Sequence, residues 1–210
     1  EIAAHGVSVM EIKRNGAGTW EIVSGSMYNR RITGNTAMAI RGPVRGSDFV
    51  KTKFSPNGLV TRGTLNNCGH GYTPWDTYLT CEENWAGYFM NDDASKPREH
   101  TRYGVPNSNS GRGSWHTADP IADQYDRFNA KVRGASAIED YRNEPNGQGW
   151  IVEIDPFDPF SLPVKRTALG RFAHEACVFA VPVNGQPFVC YSGDDSQNEY
   201  IYKYVSRDKY

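Results

Sequence analysis

The stretch NNCGHGYTPWDTYLTCEENW, residues 66–85, sets a thiol (Cys68), an imidazole (His70) and two adjacent carboxylates (Glu82, Glu83) among tryptophans and tyrosines. Core packing alone does not ask for that mixture. A thiolate is a transition-metal ligand or a nucleophile, and carboxylates gathered at strand ends are oxygen ligands for hard cations such as calcium. Two further acidic groups share the setting: Glu175 in AHEA, and Asp194 with Asp195 in SGDD. Each has an ordinary alternative as a solvated turn residue, and none has EF-hand spacing. Beside Glu175 stand His174 and Arg171 in GRFAHEAC. A guanidinium there suits bidentate recognition of phosphate or carboxylate, and the alternative is a surface ion-pair cluster.

The four cysteines divide by context. None forms a CxxC pair, which disfavours a structural zinc knuckle, and four in 210 residues do not make a disulfide scaffold. Cys81, Cys177 and Cys190 lie in apolar runs and read as small core hydrophobes. Cys68 differs, because Asn66, Asn67, Gly69 and His70 around it form a polar turn. His5, His100 and His116 lie in polar contexts and read as surface histidines. The Gly-rich run NSNSGRGSW lacks the lysine and following helix of a phosphate loop.

The elements that must position these groups are strands. Glycine (21), proline (12) and tyrosine (12) are plentiful, which favours strands and turns over long helices. VSVMEIKR and TWEIVSG predict a hairpin across NGAG. RGTLNNCG, TYLTCEEN and WAGYFM predict three more strands, and GWIVEI, VKRTALG, ACVFAVPV, PFVCYSG and EYIYKYV another five. Residues 91–148 are polar and Pro/Gly-rich, which predicts a long insertion with a short helix near ASAIEDYR. A Cys-bearing strand running into a carboxylate pair occurs twice, at Cys81 and at Cys190, as small repeated antiparallel sheets would give. The formal charge of −1 offers no basic face for nucleic acid. No apolar run approaches the ~20 residues of a membrane helix.

The series GTLNNCGHGYTPWDTYLTCEENWAGYF, GWIVEIDPFDP, VKRTALGRFAHEA and YSGDD…EYIYKYVS closely resembles the PhoX family of bacterial alkaline phosphatases along most of the chain. The resemblance implies an all-β fold, a six-bladed β-propeller. Residues 1–210 would be a partial propeller domain, roughly half of it at about 40–50 residues per blade, with 91–148 inserted between blades. It implies twin-arginine export to a periplasmic or secreted location. The implied activity is phosphomonoester hydrolysis, with calcium and ferric iron on the propeller axis neutralising the phosphate dianion. Cys68 falls on the family's cysteine motif, as the thiolate ligand to iron. Glu82, Glu83 and Glu175 match its acidic motifs as metal ligands, and Asp194 and Asp195 as further ligands or loop caps. Arg171, with His174 beside it, is the implied catalytic pair at the phosphate. The pattern departs at Ala176, where a glycine is usual, and at Gly147–Gln148, where an Arg-Phe pair is common. The expected partners are phosphomonoester substrates and the remaining blades, with no nucleic acid and no membrane span. Two rival readings are a calcium-dependent propeller hydrolase of the phosphotriesterase or lactonase type, which needs no thiolate, and a non-catalytic propeller fragment or binding module.

Overall fold

The computed structural model describes residues 1–108 and 111–210, so the middle of the NSNSGRGSW run lies outside the described residues. Among the described residues thirteen strands follow in chain order. The first six are β1 (Val7–Val9), β2 (Ile12–Arg14), β3 (Trp20–Ile22), β4 (Arg30–Ile32), β5 (Ala37–Arg41) and β6 (Val60–Arg62). Then come β7 (Asn67–Tyr72), β8 (Tyr78–Glu82), β9 (Ile151–Ile154), β10 (Val164–Arg166), β11 (His174–Phe179), β12 (Pro187–Asp194) and β13 (Ile201–Lys209).

The predicted hairpin is β2–β3, closed where the Asn15 side chain accepts the N–H groups of Ala17 and Thr19. The main sheet runs β6-β5-β10-β9-β8-β7, and every pairing in it is antiparallel except β5 with β10. A second sheet, β11-β12-β13, is an antiparallel meander. Between the two sheets Leu79, Cys81, Ile151, Cys177 and Cys190 form one buried cluster, so these three cysteines occupy the core as expected. Antiparallel sheets of this kind, packed side by side, are part of a β-propeller.

Two expectations are corrected. WAGYFM is not a strand: Trp85–Tyr88 is a 3-10 turn whose Trp85 and Tyr88 are buried with Trp115 and Phe128. No helix forms at ASAIEDYR. There the Asp140 carboxylate accepts the N–H groups of Arg133, Gly134 and Arg142 and binds the Arg142 guanidinium, which holds the segment in turns instead. Residues 91–148, expected as a polar insertion between blades, join β8 to β9, which pair directly as neighbours in one sheet, and they bury Phe128, Ala130 and Tyr141 completely.

Candidate metal centre

Two β-bulges build the site. On β7, Asn67 faces Glu82 and His70 faces Thr80, leaving one extra residue on β7. On β11, His174 faces Asp194 and Cys177 faces Ser192, again with one extra residue. A bulge breaks the alternation of a strand and re-aims a side chain. Cys68 lies in the first bulge and Glu175 in the second, and both are exposed. Cys68 is therefore in a strand rather than in the expected turn, and the bulge is what turns it outward.

The bulges abut backbone to backbone. A Cβ on Gly69 would stand 1.5 Å from the Glu175 carbonyl oxygen, and one on Gly71 would stand 1.8 Å from that of Cys177. Only glycine permits this approach. Asn66, in the left-handed region at φ 49°, accepts the Glu83 N–H on its carbonyl at 3.1 Å and the Asn84 N–H on its side chain at 3.1 Å. That fixes Glu83 where the chain leaves β8, next to the first bulge. Asp195 donates its N–H to the Ala173 carbonyl at 3.1 Å, just ahead of the second.

Cys68, Glu83, Glu175 and Asp195 are thereby brought together. Partial burial raises the Glu83 carboxyl above the usual range. The adjoining Asp195 and Glu175 add to the rise, and the Cys68 thiol opposes it. The Cys68 thiol is pushed up as well, by desolvation and then by Glu83 and Glu175. With the charged forms of both Glu83 and Cys68 disfavoured and two more carboxylates adjoining, a cation here would be stabilising. Among the described residues no three His, Cys, Asp or Glu side chains converge to ligating distance. The donor types fit iron and calcium, thiolate for the one and carboxylate for the other, but the side chains must draw together to enclose an ion.

The remaining expected site residues lie elsewhere. Glu82 is fully buried, one oxygen on the Lys165 ammonium and the other accepting Gly149 N–H at 2.9 Å and Trp150 N–H at 3.0 Å. Its lone pairs are engaged, so it is a structural anion and not a ligand. Asp194 accepts the Ser196 N–H on its carboxylate at 3.1 Å, as a loop cap, and lines a cavity of about 320 Å³ with Arg102, Arg171 and Tyr202. His174 is fully buried, Nδ1 at 2.8 Å from the Ser192 hydroxyl and Nε2 at 3.0 Å from the Gly170 carbonyl. With both nitrogens bonded inside the fold, it is a strut rather than a catalytic base. Arg171 donates to the carbonyls of Gln148 at 2.9 Å and Pro145 at 2.8 Å and stacks between Trp85 and Tyr103. It bolts the 145–148 loop to the sheet, and none of these contacts reaches the carboxylates.

Burial also corrects the surface reading of His100, which is fully enclosed. Desolvation lowers both His100 and His174 to about 4. An imidazole whose folded pKa is depressed contributes stability that is present above its unfolded value near 6.5. That stability is lost as pH falls toward the folded value, at up to about 1.4 kcal/mol per unit for each group. The melting temperature should therefore drop between pH 7 and pH 4.5, and His100→Gln should flatten that drop. An unchanged pH profile in the variant would mean that His100 is solvated.

Sequence reasoning missed the residues beneath the site. Lys165 is fully buried, and its ammonium also reaches the Gln148 amide oxygen at 3.3 Å. The Gln148 amide in turn donates to the carbonyls of Arg62 at 3.0 Å and Gly63 at 3.2 Å. Gly147 meets the Thr61 side chain so closely that a Cβ would stand 2.2 Å from its hydroxyl. The departure at Gly147–Gln148 is thus built into the packing around the buried ion pair.

A family model described as alkaline phosphatase PhoX matches residues 1–210. Among solved structures, Pseudomonas fluorescens PhoX in complex with vanadate, a transition state analogue, is similar at 45% identity and a TM-score of 0.84. The alignment covers 100% of this chain and 33% of that one, so the chain spans about a third of the solved relative's length and not the half expected from blade size. No curated protein matches it.

Proposed function

From the premise that the chain belongs to the alkaline phosphatase PhoX family, we propose that it serves the hydrolysis of phosphomonoesters and supplies one side of a metal centre for that reaction. The observation that carries the reading is the pair of abutting bulges that sets Cys68 beside Glu175, with Glu83 and Asp195 adjoining. The relative's complex with vanadate, a transition state analogue, supports phosphoryl chemistry in the family. Calcium and ferric iron are the proposed ions, with Cys68 toward iron and Glu83, Glu175 and Asp195 toward either. When bound, they would supply positive charge for the phosphate dianion.

What these residues do is separable from the ions. The bulges orient the donors, Asn66 holds the backbone of Glu83, and the Lys165–Glu82 pair anchors the end of β8 from beneath. The presence of Cys68 in the set favours this reading over a calcium-only hydrolase. The remaining blades would supply further ligands and cover the exposed side of the set, and a periplasmic or secreted location belongs to the same proposal. Among the described residues no helix is long and apolar enough to cross a membrane.

The test is metal content and turnover of p-nitrophenyl phosphate by the complete protein before and after chelation. Chelation should abolish turnover and lower the melting temperature. Calcium returned to the chelated protein should raise the melting temperature in proportion to RT ln(1 + [L]/Kd). A melting temperature and activity indifferent to both treatments would leave Glu83, Glu175 and Asp195 as solvated residues.

A further inference from the structure

We infer that Cys177 and Cys190 are the site of a disulfide cross-link that staples β11 to β12 when the protein meets a disulfide-bearing oxidant. The proposal is independent of the phosphatase reading. In the antiparallel register Cys177 lies opposite Ser192 and Cys190 opposite Phe179. Alternate residues of a strand share a face, so the two cysteines are diagonal neighbours on one face of adjacent strands. Their side chains turn toward each other, with Sγ to Sγ at 2.7 Å, a direct thiol–thiol contact. Both are buried, at 0% and 2% exposure, which leaves few other groups within reach of either sulfur.

The third core cysteine sharpens the assignment. Cys81 belongs to the same cluster but sits on β8, across the gap between the two sheets. Cys177 and Cys190 are joined by one short connection and lie on neighbouring strands. They meet as soon as that hairpin forms, before the sheets have to pack. Cys68 is exposed in its bulge and is not a member of the cluster.

The step balances without any group from the site. The thiolate of one cysteine attacks a small disulfide such as oxidised glutathione, forming a mixed disulfide and releasing one glutathione thiol. The second thiolate then displaces the other. Two S–H bonds are lost, one S–S bond forms, and two electrons and two protons pass to the oxidant as two thiols. Because both sulfurs are enclosed in the finished fold, the exchange takes place while the hairpin is forming or transiently open. The bond ties together the two strands whose ends carry Glu175 and Asp195.

The experiment refolds the complete protein in a buffer of reduced and oxidised glutathione, alkylates free thiols under denaturing conditions, and maps the digest by mass spectrometry without reduction. The expected result is one cross-linked peptide pair joining Cys177 and Cys190, two hydrogens lighter than the reduced pair, with Cys68 and Cys81 alkylated. Reduction should then lower the melting temperature by a few degrees in the native protein, and Cys190→Ala should remove that sensitivity to reductant. Four alkylated cysteines, or a cross-link that uses Cys81, would overturn the proposal, and the map of the unmutated protein decides it even if Cys190→Ala does not fold.

Discussion

Replacing Lys165 with methionine should destabilise the protein by about 3–5 kcal/mol, the usual cost of leaving one member of a buried ion pair alone. Lys165 and Glu82 are both fully buried, and no solvent is available to either. Without the ammonium, the Glu82 carboxylate would keep only the N–H groups of Gly149 and Trp150. Glu82→Gln should cost a similar amount, because it leaves the ammonium with only the Gln148 oxygen. The double variant Lys165→Met with Glu82→Gln removes both charges and should recover most of the loss. Denaturant unfolding of the four proteins measures this coupling directly. Additive single effects, or a loss under about 1 kcal/mol, would mean that water reaches the pair.

Cys68→Ser in the complete protein should do the opposite: little change in the stability of the metal-free fold, and a near-total loss of bound iron and turnover. The side chain is exposed in its bulge, so no core contact is lost. A hydroxyl is a poor substitute for a thiolate on iron. A residue that merely supports a ligand costs about 10–100-fold in metal affinity or activity when changed, and a direct ligand should exceed that. Metal analysis beside phosphatase assays separates the cases. Full iron and full activity in Cys68→Ser would remove the thiol from the site, whereas Glu82→Gln, once folded, should keep its metal.

The contrast between Glu82 and Glu83 shows what was legible in the chain and what was not. The motif TCEEN marked both, yet adjacent residues at a strand end point to opposite faces, so one of the two had to turn inward. Strand parity was the available signal. It does not say which residue is inside without a partner, and Lys165 carries no mark among VKRTALG. The strands themselves were readable from alternation and turn chemistry, as β2–β3 shows. The bulges were not. An extra residue in a strand leaves no trace in composition, and only the glycines Gly69 and Gly71 mark where a backbone comes close. His174 and Arg171 looked chemical because of their types, and three-dimensional hydrogen bonding spent both on holding loops and strands.

The parallel pairing of β5 with β10 sets an order of events in folding. Ala39 aligns with Val164, with most of the chain between them. The entropy of closing such a loop grows only slowly with its length, but it must be met before the contact gives anything back. Pairing that spans so much sequence is slow compared with a meander of neighbouring strands. The β11-β12-β13 sheet is such a meander and can form early on its own. Until β5 arrives, β10 remains an open edge of the β7–β10 group, and an unpaired edge is the place where a second chain can add. Dilution during refolding should therefore raise the yield of native protein more than it changes the rate at which the meander appears.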